Sequence, residues 1–530
     1  MCELGKLKQA GLAIVLLAVL LASVSCKPRQ ISSDEALAFV QKYEIRVEYL
    51  NRRLAEEKWE MATGGHSDSL DYFLDLEKSL LNDNRILSAL TRYRSLNNDE
   101  KLQRKLDIIW RRHLRAAIDG RREISSLADS LMNIAGQLTV NVSDRNYPVP
   151  EIGEVISITN SRALRETVWV NRAQSVASLA DGITMLIRLR NQAAQRLGYN
   201  SYYDLMLLAD GIDRQKLQRY LDDLAEKSRD PFLSSLDSIK NQLGVDHVFP
   251  WDIEFVPGRA INAINPFLAA ERQKSLLQET FAGLGINLKA LPLYYTSGDN
   301  SLSDQVLYAH IPEDIRVIHN SVDGSTGLIE LFGQTGRAFY AANIDQKEYL
   351  MALSPAPCFE IAQADIITGL TQLEDWLIKY AGVPVTEIDR IKSGLAFKRL
   401  YDLRYMLMMI AFEQEMYRDP YGNPDDLYIR LYEEYLRLKL DKGYSGWALE
   451  SDLVTNPVTT QNELLAQGIT AQTYSYLTHK YGSVLDNSRT REFLVQNYYR
   501  FGRSENWETL VMRGTGEALK ADYYLDYCQM

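Results

Sequence analysis

Apolar residues recur at helical spacing along most of the chain. In 35–60 they fall at every third or fourth position, at Leu37, Val40, Tyr43, Val47, Leu50 and Leu54. A second stripe in 176–197 stops at Gly198, and Ser201 then gives the pattern of a helix N-cap. A third runs from Asp213 to Leu236. The pattern predicts a mainly α-helical protein.

Three segments interrupt this pattern. Residues 140–153 contain several Asn, Asp and Pro residues, which predicts a connection between helical blocks. Residues 244–266 contain three prolines and Gly258, which predicts a longer irregular crossing. Apolar runs from Val306 to Ile311 and from Ile315 to Asn320 flank a short turn at Pro312. Two such runs around a turn predict a small antiparallel β-hairpin.

The helical pattern resumes at Gly327 and continues to about Leu519, with loops expected near 419–425, 441–447 and 482–488. We find no fixed-period repeat and no low-complexity tract in the sequence.

The N-terminus has the features of a targeting segment. A short basic region precedes an apolar run from Ala10 to Val24, which is too short for a comfortable membrane-spanning helix. Small residues then lead to Cys26, so the segment resembles a bacterial lipoprotein signal. This resemblance implies removal of residues 1–25, lipidation of Cys26, a tether over 26–34, and a membrane-anchored location in the bacterial cell envelope, periplasmic or outer-surface. Ser23 stands where an aliphatic residue is usual, so an uncleaved anchor or a plain secretory signal is the alternative.

Composition narrows the function classes. The 530 residues are 46% hydrophobic and carry a formal net charge of −11, which favours a large globular protein and argues against nucleic acid as a partner. Beyond the predicted signal and Cys26, the cysteines are Cys358 and Cys528, which either pair or are two buried thiols. Only six histidines are present, a small supply for metal or acid–base chemistry.

Five collinear blocks carry a resemblance to a known family. They are 59–63, 186–203, the hairpin at 305–320, 412–427 and 515–525. Together they resemble the helical zinc peptidases (gluzincins) of the angiotensin-converting-enzyme-like peptidyl-dipeptidase and oligopeptidase group. The resemblance implies one two-lobed helical domain over 35–530, with a deep channel for unstructured peptides and a small sheet beside it.

The family's catalytic motif is missing. In that family two histidines of an H-E-x-x-H helix hold zinc, and the glutamate between them activates a water molecule. No H-E-x-x-H occurs in this sequence, and no two of its histidines are four residues apart. The resemblance therefore implies zinc, whereas the residues provide no standard ligand set for it, and we expect no cofactor.

The segment that takes the place of the metal helix is 332–340. Alignment of its framework residues puts Gly333 and Arg337 at the two histidine positions and Gln334 at the catalytic glutamate. Ile361 falls at the third-ligand position, about two dozen residues further on. Glu360 is one residue away, but one helical step turns a side chain by about 100°. We expect these vestigial positions to be catalytically inert.

Other candidate binding residues follow from the same comparison. The stretch 451–463, where the family has an oxyanion-stabilising histidine and tyrosine, contains neither, and it offers only Asp452 and Gln461 as cleft residues. Arg337 has two possible roles: it holds a peptide carboxylate, or it pairs with Glu360 or Asp365 inside the protein.

His310 and His319 fall on opposite arms of the predicted hairpin. They are either a two-histidine metal site or ordinary polar positions on a half-exposed sheet.

The sequence thus predicts a lipid-anchored pseudo-peptidase that binds peptides or a partner protein in its channel. An active metallopeptidase with relocated ligands is the enzymatic alternative. A purely structural lipoprotein with a filled channel is the third hypothesis.

Overall fold

The computed structural model describes residues 32–96, 98–298 and 302–530. The predicted signal and Cys26 lie outside these residues. The chain forms two compact units, one made of residues up to Arg46 with Asn84–Trp110, the other of Val47–Asp83 with Arg111–Met530. In the described ranges, no helix combines the length and the hydropathy needed to cross a membrane.

The N-terminal part is helical. Its helices are α1 (Ser33–Ala62), α2 (Leu70–Leu81), α3 (Asn84–Arg94), α4 (Glu100–Asp119) and α5 (Arg122–Ala135). In the smaller unit, Leu90 and Leu106 are fully buried and Phe39 packs against Tyr93 with ring centroids 5.3 Å apart. The predicted helix at 35–60 is therefore confirmed.

Short strands and further helices follow. They are β1 (Thr139–Val142), β2 (Arg145–Pro148), α6 (Ile152–Ile158), α7 (Arg162–Val176), α8 (Ala180–Arg196), α9 (Tyr202–Asp210), α10 (Arg214–Lys227), α11 (Arg229–Leu243), α12 (Pro250–Ile253), α13 (Phe255–Ile264) and α14 (Ala270–Gly283). Ser201 caps α9 by accepting a hydrogen bond from the backbone N–H of Asp204, as its position in the sequence predicted.

The C-terminal part contains the second sheet and the longest helix. Its elements are β3 (Leu293–Thr296), β4 (Gln305–His310), β5 (Asp314–Ile318), α15 (Gly324–Ala341), α16 (Pro357–Thr368), α17 (Glu374–Trp376), α18 (Val385–Arg418), α19 (Pro424–Leu436), α20 (Asp452–Thr455), α21 (Thr460–Tyr481), α22 (Ser488–Asn497), α23 (Trp507–Thr515) and α24 (Ala521–Gln529). The mainly helical fold class with small sheets is confirmed.

The predicted hairpin is present and belongs to a three-stranded sheet. Strands β4 and β5 are antiparallel, and β3 adds a parallel strand on the other side of β5. One face packs on the second half of α1, where Ala55 and Ala62 meet Leu307 and Ile318. Both sides of this contact belong to the larger unit.

Residues 140–153 connect two helical blocks, as predicted, but the prediction missed the strands in this connection. Strands β1 and β2 form an antiparallel hairpin, and Ser143 in the turn has a φ of 58°. Val140 and Val142 are buried against Trp169, while Thr139 and Asn141 are exposed. Alternation of buried and exposed residues makes this segment a strand.

The interpretation of 244–266 as irregular holds for 244–249 and is wrong from Pro250 onward. Pro250 begins α12 and Pro257 lies in the first turn of α13, positions where the absence of an N–H costs nothing. Gly258 lies inside α13 because α6 passes close by, and a Cβ atom there would be 2.4 Å from the Cβ atom of Ser157. The C-terminal limit near Leu519 is wrong too, because α24 follows it.

Candidate functional site

Helices α15 and α16 bring the vestigial positions together: Gly333, Gln334 and Arg337 lie on α15 and Ile361 lies on α16. The two helices approach closely at Gly336. A Cβ atom at Gly336 would lie 2.8 Å from the carbonyl oxygen of Gln363, which is backbone and cannot move aside. This position therefore requires glycine, and the contact sets the distance between the two helices.

Gly333 differs from Gly336 in its surroundings. A Cβ atom at Gly333 would lie 3.4 Å from the Cγ2 atom of Thr368 and 3.9 Å from the Cβ atom of Ala364, both ordinary contact distances. A side chain at 333 would thus point toward α16, one helical turn before Arg337. A metal-ligating side chain would start without a clash at this position, but glycine has no donor atom.

Gln334 is held by polar contacts. It is buried, and its Nε2 atom donates to the backbone oxygen of Asp304 at 3.3 Å. Its Oε1 atom accepts from Nη1 of Arg337 at 3.4 Å. An amide in this position can donate and accept hydrogen bonds but cannot take a proton from water.

A cavity of about 630 Å³ opens beside α16, and we call it the α16 cleft. Arg337 and Ile361 line it, so two vestigial positions face this space. Its other charged and amide lining residues are Asp365, Gln372, Lys398, Arg399, Asp402, Glu463 and Gln467. A cavity of about 810 Å³ between α10 and α23 contains none of the predicted site residues.

Asp365 lies one turn after Ile361 and faces the same cleft. Burial raises the pKa of its carboxyl to about 7, Arg337 opposes the rise, and Glu463 adds to it. The Oδ2 atom of Asp365 accepts a hydrogen bond from Nε2 of Gln467 at 2.9 Å. Half of the carboxyl groups would therefore be protonated near neutral pH.

Among the described residues, Arg337 forms no ion pair with a carboxylate, although its charge acts on Asp365. In residues 32–96, 98–298 and 302–530, no ion pair joins it to Glu360 or to Asp365. Glu360 instead accepts a hydrogen bond from the Tyr308 hydroxyl at 3.1 Å, away from the side of α16 that Ile361 presents to the cleft. The expected internal ion pair of Arg337 is thus not formed.

The two hairpin histidines do not face each other. His310 pairs with Asp314 beside the turn, whereas His319 follows the far end of β5. The side chain of His310 is 53% exposed and lies 3.4 Å from Glu313. The facing arrangement is therefore wrong, and the reason is the strand register.

His319 is buried and its Nδ1 atom lies 2.7 Å from Oδ2 of Asp304. Its Nε2 atom is buried without a hydrogen-bond partner among the described residues. Its contact with Asp304 joins the end of β5 to the loop before β4, and His319 does not line the α16 cleft.

In the stretch 451–463, Glu463 lines the α16 cleft, whereas Asp452 and Gln461 do not. Gln461 is fully buried and its Nε2 atom donates to the backbone oxygen of Val458 at 2.5 Å, so it is not a cleft residue. Asp452 begins the short helix α20, is exposed overall, and has a raised pKa because protein atoms partly desolvate its carboxyl.

Two buried residues that the sequence did not indicate fix this stretch. Glu413 accepts a hydrogen bond from the backbone N–H of Val458 at 2.9 Å, and burial raises the pKa of Glu413 to about 7. Val458 has a φ of 60°, an unusual conformation for a β-branched residue. Arg190 donates to the backbone oxygens of Leu453 and Val454 at 2.8 and 2.6 Å.

The donor set at the vestigial positions does not fit zinc. Glycine and isoleucine have no donor atom, and a guanidinium repels a divalent cation. Across the described ranges, no cluster of three His, Cys, Asp or Glu side chains has metal-binding geometry. We therefore derive no step of chemistry through a metal at this site.

The sequence and the fold of this chain are similar to those of known peptidases. The sequence profile of Peptidase family M3 matches residues 157–289. The M32 carboxypeptidase from Deinococcus radiodurans R1 is similar in structure, with a TM-score of 0.63 and 14% sequence identity over 93% of this chain and 97% of that chain. No curated protein sequence matches significantly.

The structural similarity shows that this chain has the fold of that carboxypeptidase, and the similarity to the M3 profile is confined to residues 157–289. The M3 profile covers α7 to α14 and ends before α15, so it does not include the vestigial positions. The chemistry of the site therefore rests on the residues described above.

Proposed function

We propose that this protein is a peptidase-fold binding protein that has lost zinc-dependent hydrolysis and holds peptides in the α16 cleft. The observation that carries the proposal is the set of residues at the four vestigial positions, Gly333, Gln334, Arg337 and Ile361. Hydrolysis by the family's route needs three metal ligands and a general base. None of the four residues can take either role.

The surroundings of these positions support retention of a binding function. The close contact at Gly336 keeps α15 and α16 together, and the α16 cleft has the volume of a typical ligand site, within the range of roughly 300–1,000 Å³. Its lining combines an apolar wall with several charged groups, which suits a peptide segment better than a nucleic acid.

We also propose that the mature chain is anchored to a membrane of the bacterial cell envelope through lipid on Cys26. The support is the apolar run that ends in small residues before this cysteine. An anchored binding protein would keep its cleft at the cell surface or in the periplasm.

The test is to measure zinc content and peptide turnover on purified mature protein. We expect less than stoichiometric zinc after dialysis against trace zinc and no cleavage of a mixed pool of short peptides. A fourfold variant in which the ligands and the base are restored, Gly333→His, Gln334→Glu, Arg337→His and Ile361→Glu, is the matched comparison, and we expect it to gain zinc. Tight stoichiometric zinc together with chelator-sensitive turnover by the natural sequence would overturn the proposal in favour of an enzyme with relocated ligands.

A further inference from the structure

We propose that the guanidinium of Arg337 is a binding site for a carboxylate in the α16 cleft, and that the ligand carries an apolar group next to that carboxylate. This inference rests on the proposed function in one respect, namely that no metal occupies this part of the site. To the proposed function it adds the chemical class of the ligand and the residue that binds the ligand. The positive charge that a metal would supply to a substrate oxygen is here supplied by N–H donors.

The first argument is the unused hydrogen-bonding capacity of Arg337. A guanidinium has five N–H donors in a fork that matches the two oxygens of a carboxylate. Only one hydrogen bond from Arg337 is found in the described part of the chain, a long one of 3.4 Å to the neutral amide of Gln334. The side chain is half-buried and lines the cleft, so a ligand in that space can reach it.

The second argument is that the other cations of the cleft are already engaged. Lys398 pairs with Asp402 at 2.5 Å. Arg399 donates to the side chain of Gln372 at 3.2 Å and lies over the ring of Tyr527 at 4.8 Å from its centroid. Arg337 is therefore the cation of this lining that is best placed to receive an anion from solution.

The third argument is the charge balance around Arg337. The lining contains three cations, which are Arg337, Lys398 and Arg399, and three carboxyl groups, which are Asp365, Asp402 and Glu463. A phosphate dianion would meet repulsion from these carboxyl groups, whereas one carboxylate adds a single charge opposite one unpaired guanidinium. Burial also favours the neutral form of Asp365, which reduces competition for Arg337.

The fourth argument is the apolar wall. Ile264, Leu268, Leu328, Ile361 and Leu395 line the same cavity. An apolar group that leaves water for this wall adds binding free energy in proportion to the area it buries. A carboxylate next to an aromatic or aliphatic group therefore fits the cleft better than acetate alone.

The experiment uses hydrocinnamate and its uncharged analogue hydrocinnamamide as probes, with binding to the mature full-length chain followed by calorimetry or ligand-observed NMR. The variants are Arg337→Gln, Arg337→Lys, and Arg513→Gln as a control. Arg513 is an exposed arginine on α23 that pairs with Glu505 outside the cleft. A charge-assisted pair of hydrogen bonds corresponds to a loss of at least about tenfold in affinity when it is removed.

We expect the natural sequence to bind hydrocinnamate at least about tenfold more tightly than hydrocinnamamide, and Arg337→Gln to abolish that preference. Arg337→Lys should retain part of it, and Arg513→Gln all of it. Equal binding of the acid and the amide, an unchanged preference in Arg337→Gln, or no binding of hydrocinnamate would overturn the inference. Because the acid–amide comparison is made on the natural sequence, the test holds even if a variant fails to fold.

Peptide probes then distinguish the two sources of a carboxylate. Acetyl-Ala-Ala-Phe with a free C-terminus, its C-terminal amide, and acetyl-Ala-Glu-Phe amide separate a terminal carboxylate from a side-chain carboxylate. Binding of either acid that depends on Arg337 supports the inference, and equal binding of all three contradicts it. Arg337-dependent binding of hydrocinnamate without binding of any peptide would leave the inference standing and refute peptide binding as the function. Zinc-dependent turnover would refute the proposed loss of hydrolysis.

Discussion

Replacing Asp365 with Asn is expected to stabilise the protein near pH 8 and to have little effect near pH 4. The pKa of Asp365 rises from its ordinary value of 3.8 to about 7 because of burial. Between these values the folded chain keeps a proton that the unfolded chain releases, so the unfolded state binds fewer protons. The free energy of unfolding therefore falls as the pH rises from about 4 to about 7 and stays lower above that range. Asparagine is never ionised and removes this loss.

The size of the effect follows from the change in pKa. At about 1.4 kcal/mol for each tenfold change in the protonation equilibrium, a rise from 3.8 to about 7 corresponds to roughly 4 kcal/mol at most. The side chain is half-buried and keeps some contact with water, so we expect roughly 2–4 kcal/mol. Asparagine retains an oxygen that can accept the hydrogen bond from Gln467, so that contact does not offset the gain.

The measurement is urea unfolding of the natural sequence and the variant at about pH 4, 6 and 8, followed by circular dichroism. The quantity compared is the difference between the two proteins at each pH. Asp230→Asn serves as the control, because Asp230 is 77% exposed beside Arg229 and its substitution should change stability little at any pH. If Asp365→Asn is no more stable at pH 8 than at pH 4 relative to the natural sequence, Asp365 is ionised in the fold and the reasoning fails.

Three further predictions concern the packing and the anchor. Gly336→Ala should lower the free energy of unfolding, measured by urea unfolding, by about 1–3 kcal/mol, because the added Cβ atom would lie 2.8 Å from a backbone oxygen. Gly333→Ala should raise the same quantity by about 0.5–1 kcal/mol, because its Cβ atom would lie 3.4 Å from the nearest side-chain atom. Arg190→Met should lower the free energy of unfolding by about 3–5 kcal/mol, because the substitution leaves the carbonyl groups of Leu453 and Val454 unpaired. It should also speed proteolysis within 451–458. Cys26→Ser should move the protein from the detergent phase to the aqueous phase in a partition assay, and unchanged partition would refute lipidation.

Much of the helical fold could be predicted from the sequence because its helices have strong one-sided apolar stripes. The stripe in 35–60 becomes α1, in which Val40 and Val47 are fully buried. Prolines and glycines in 244–266 predicted a break, yet they occupy the first turns of two helices and a close contact between helices. Only the position of the neighbouring helix α6 explains Gly258, and a neighbour in space cannot be identified from local pattern.

The short strands were missed for a related reason. Strand β1 has four residues, too few for periodicity to distinguish a strand from a connection. The signal available was the alternation of Val140 and Val142 with polar residues before the turn at Ser143. Strand β3 carries no such alternation, and its pairing with β5 depends on a partner about twenty residues away along the chain.

The candidate site was predictable only in part. The spacing of the vestigial positions placed Arg337 and Ile361 in one cleft, and Asp365 follows Ile361 by one helical turn. Arg399 and Gln467 reach the same cleft from α18 and α21 without any motif, so tertiary structure alone brings them there. The hairpin histidines failed as a pair because strand register, which the sequence does not specify here, puts them at opposite ends.

The contacts that hold α15 and α16 together are different from the residues that would bind a metal or a ligand. The spacing of the two helices depends on a backbone contact at Gly336, which involves no metal ligand. A structural zinc site contributes folding free energy through its ligands, so a fold that relied on them would be weakened by losing them. Here apolar packing and the Gly336 contact hold the helices without ligands. On our proposal, the position that holds the second metal ligand in the resembling family carries Arg337, and its charge attracts the anionic group of a ligand in the α16 cleft.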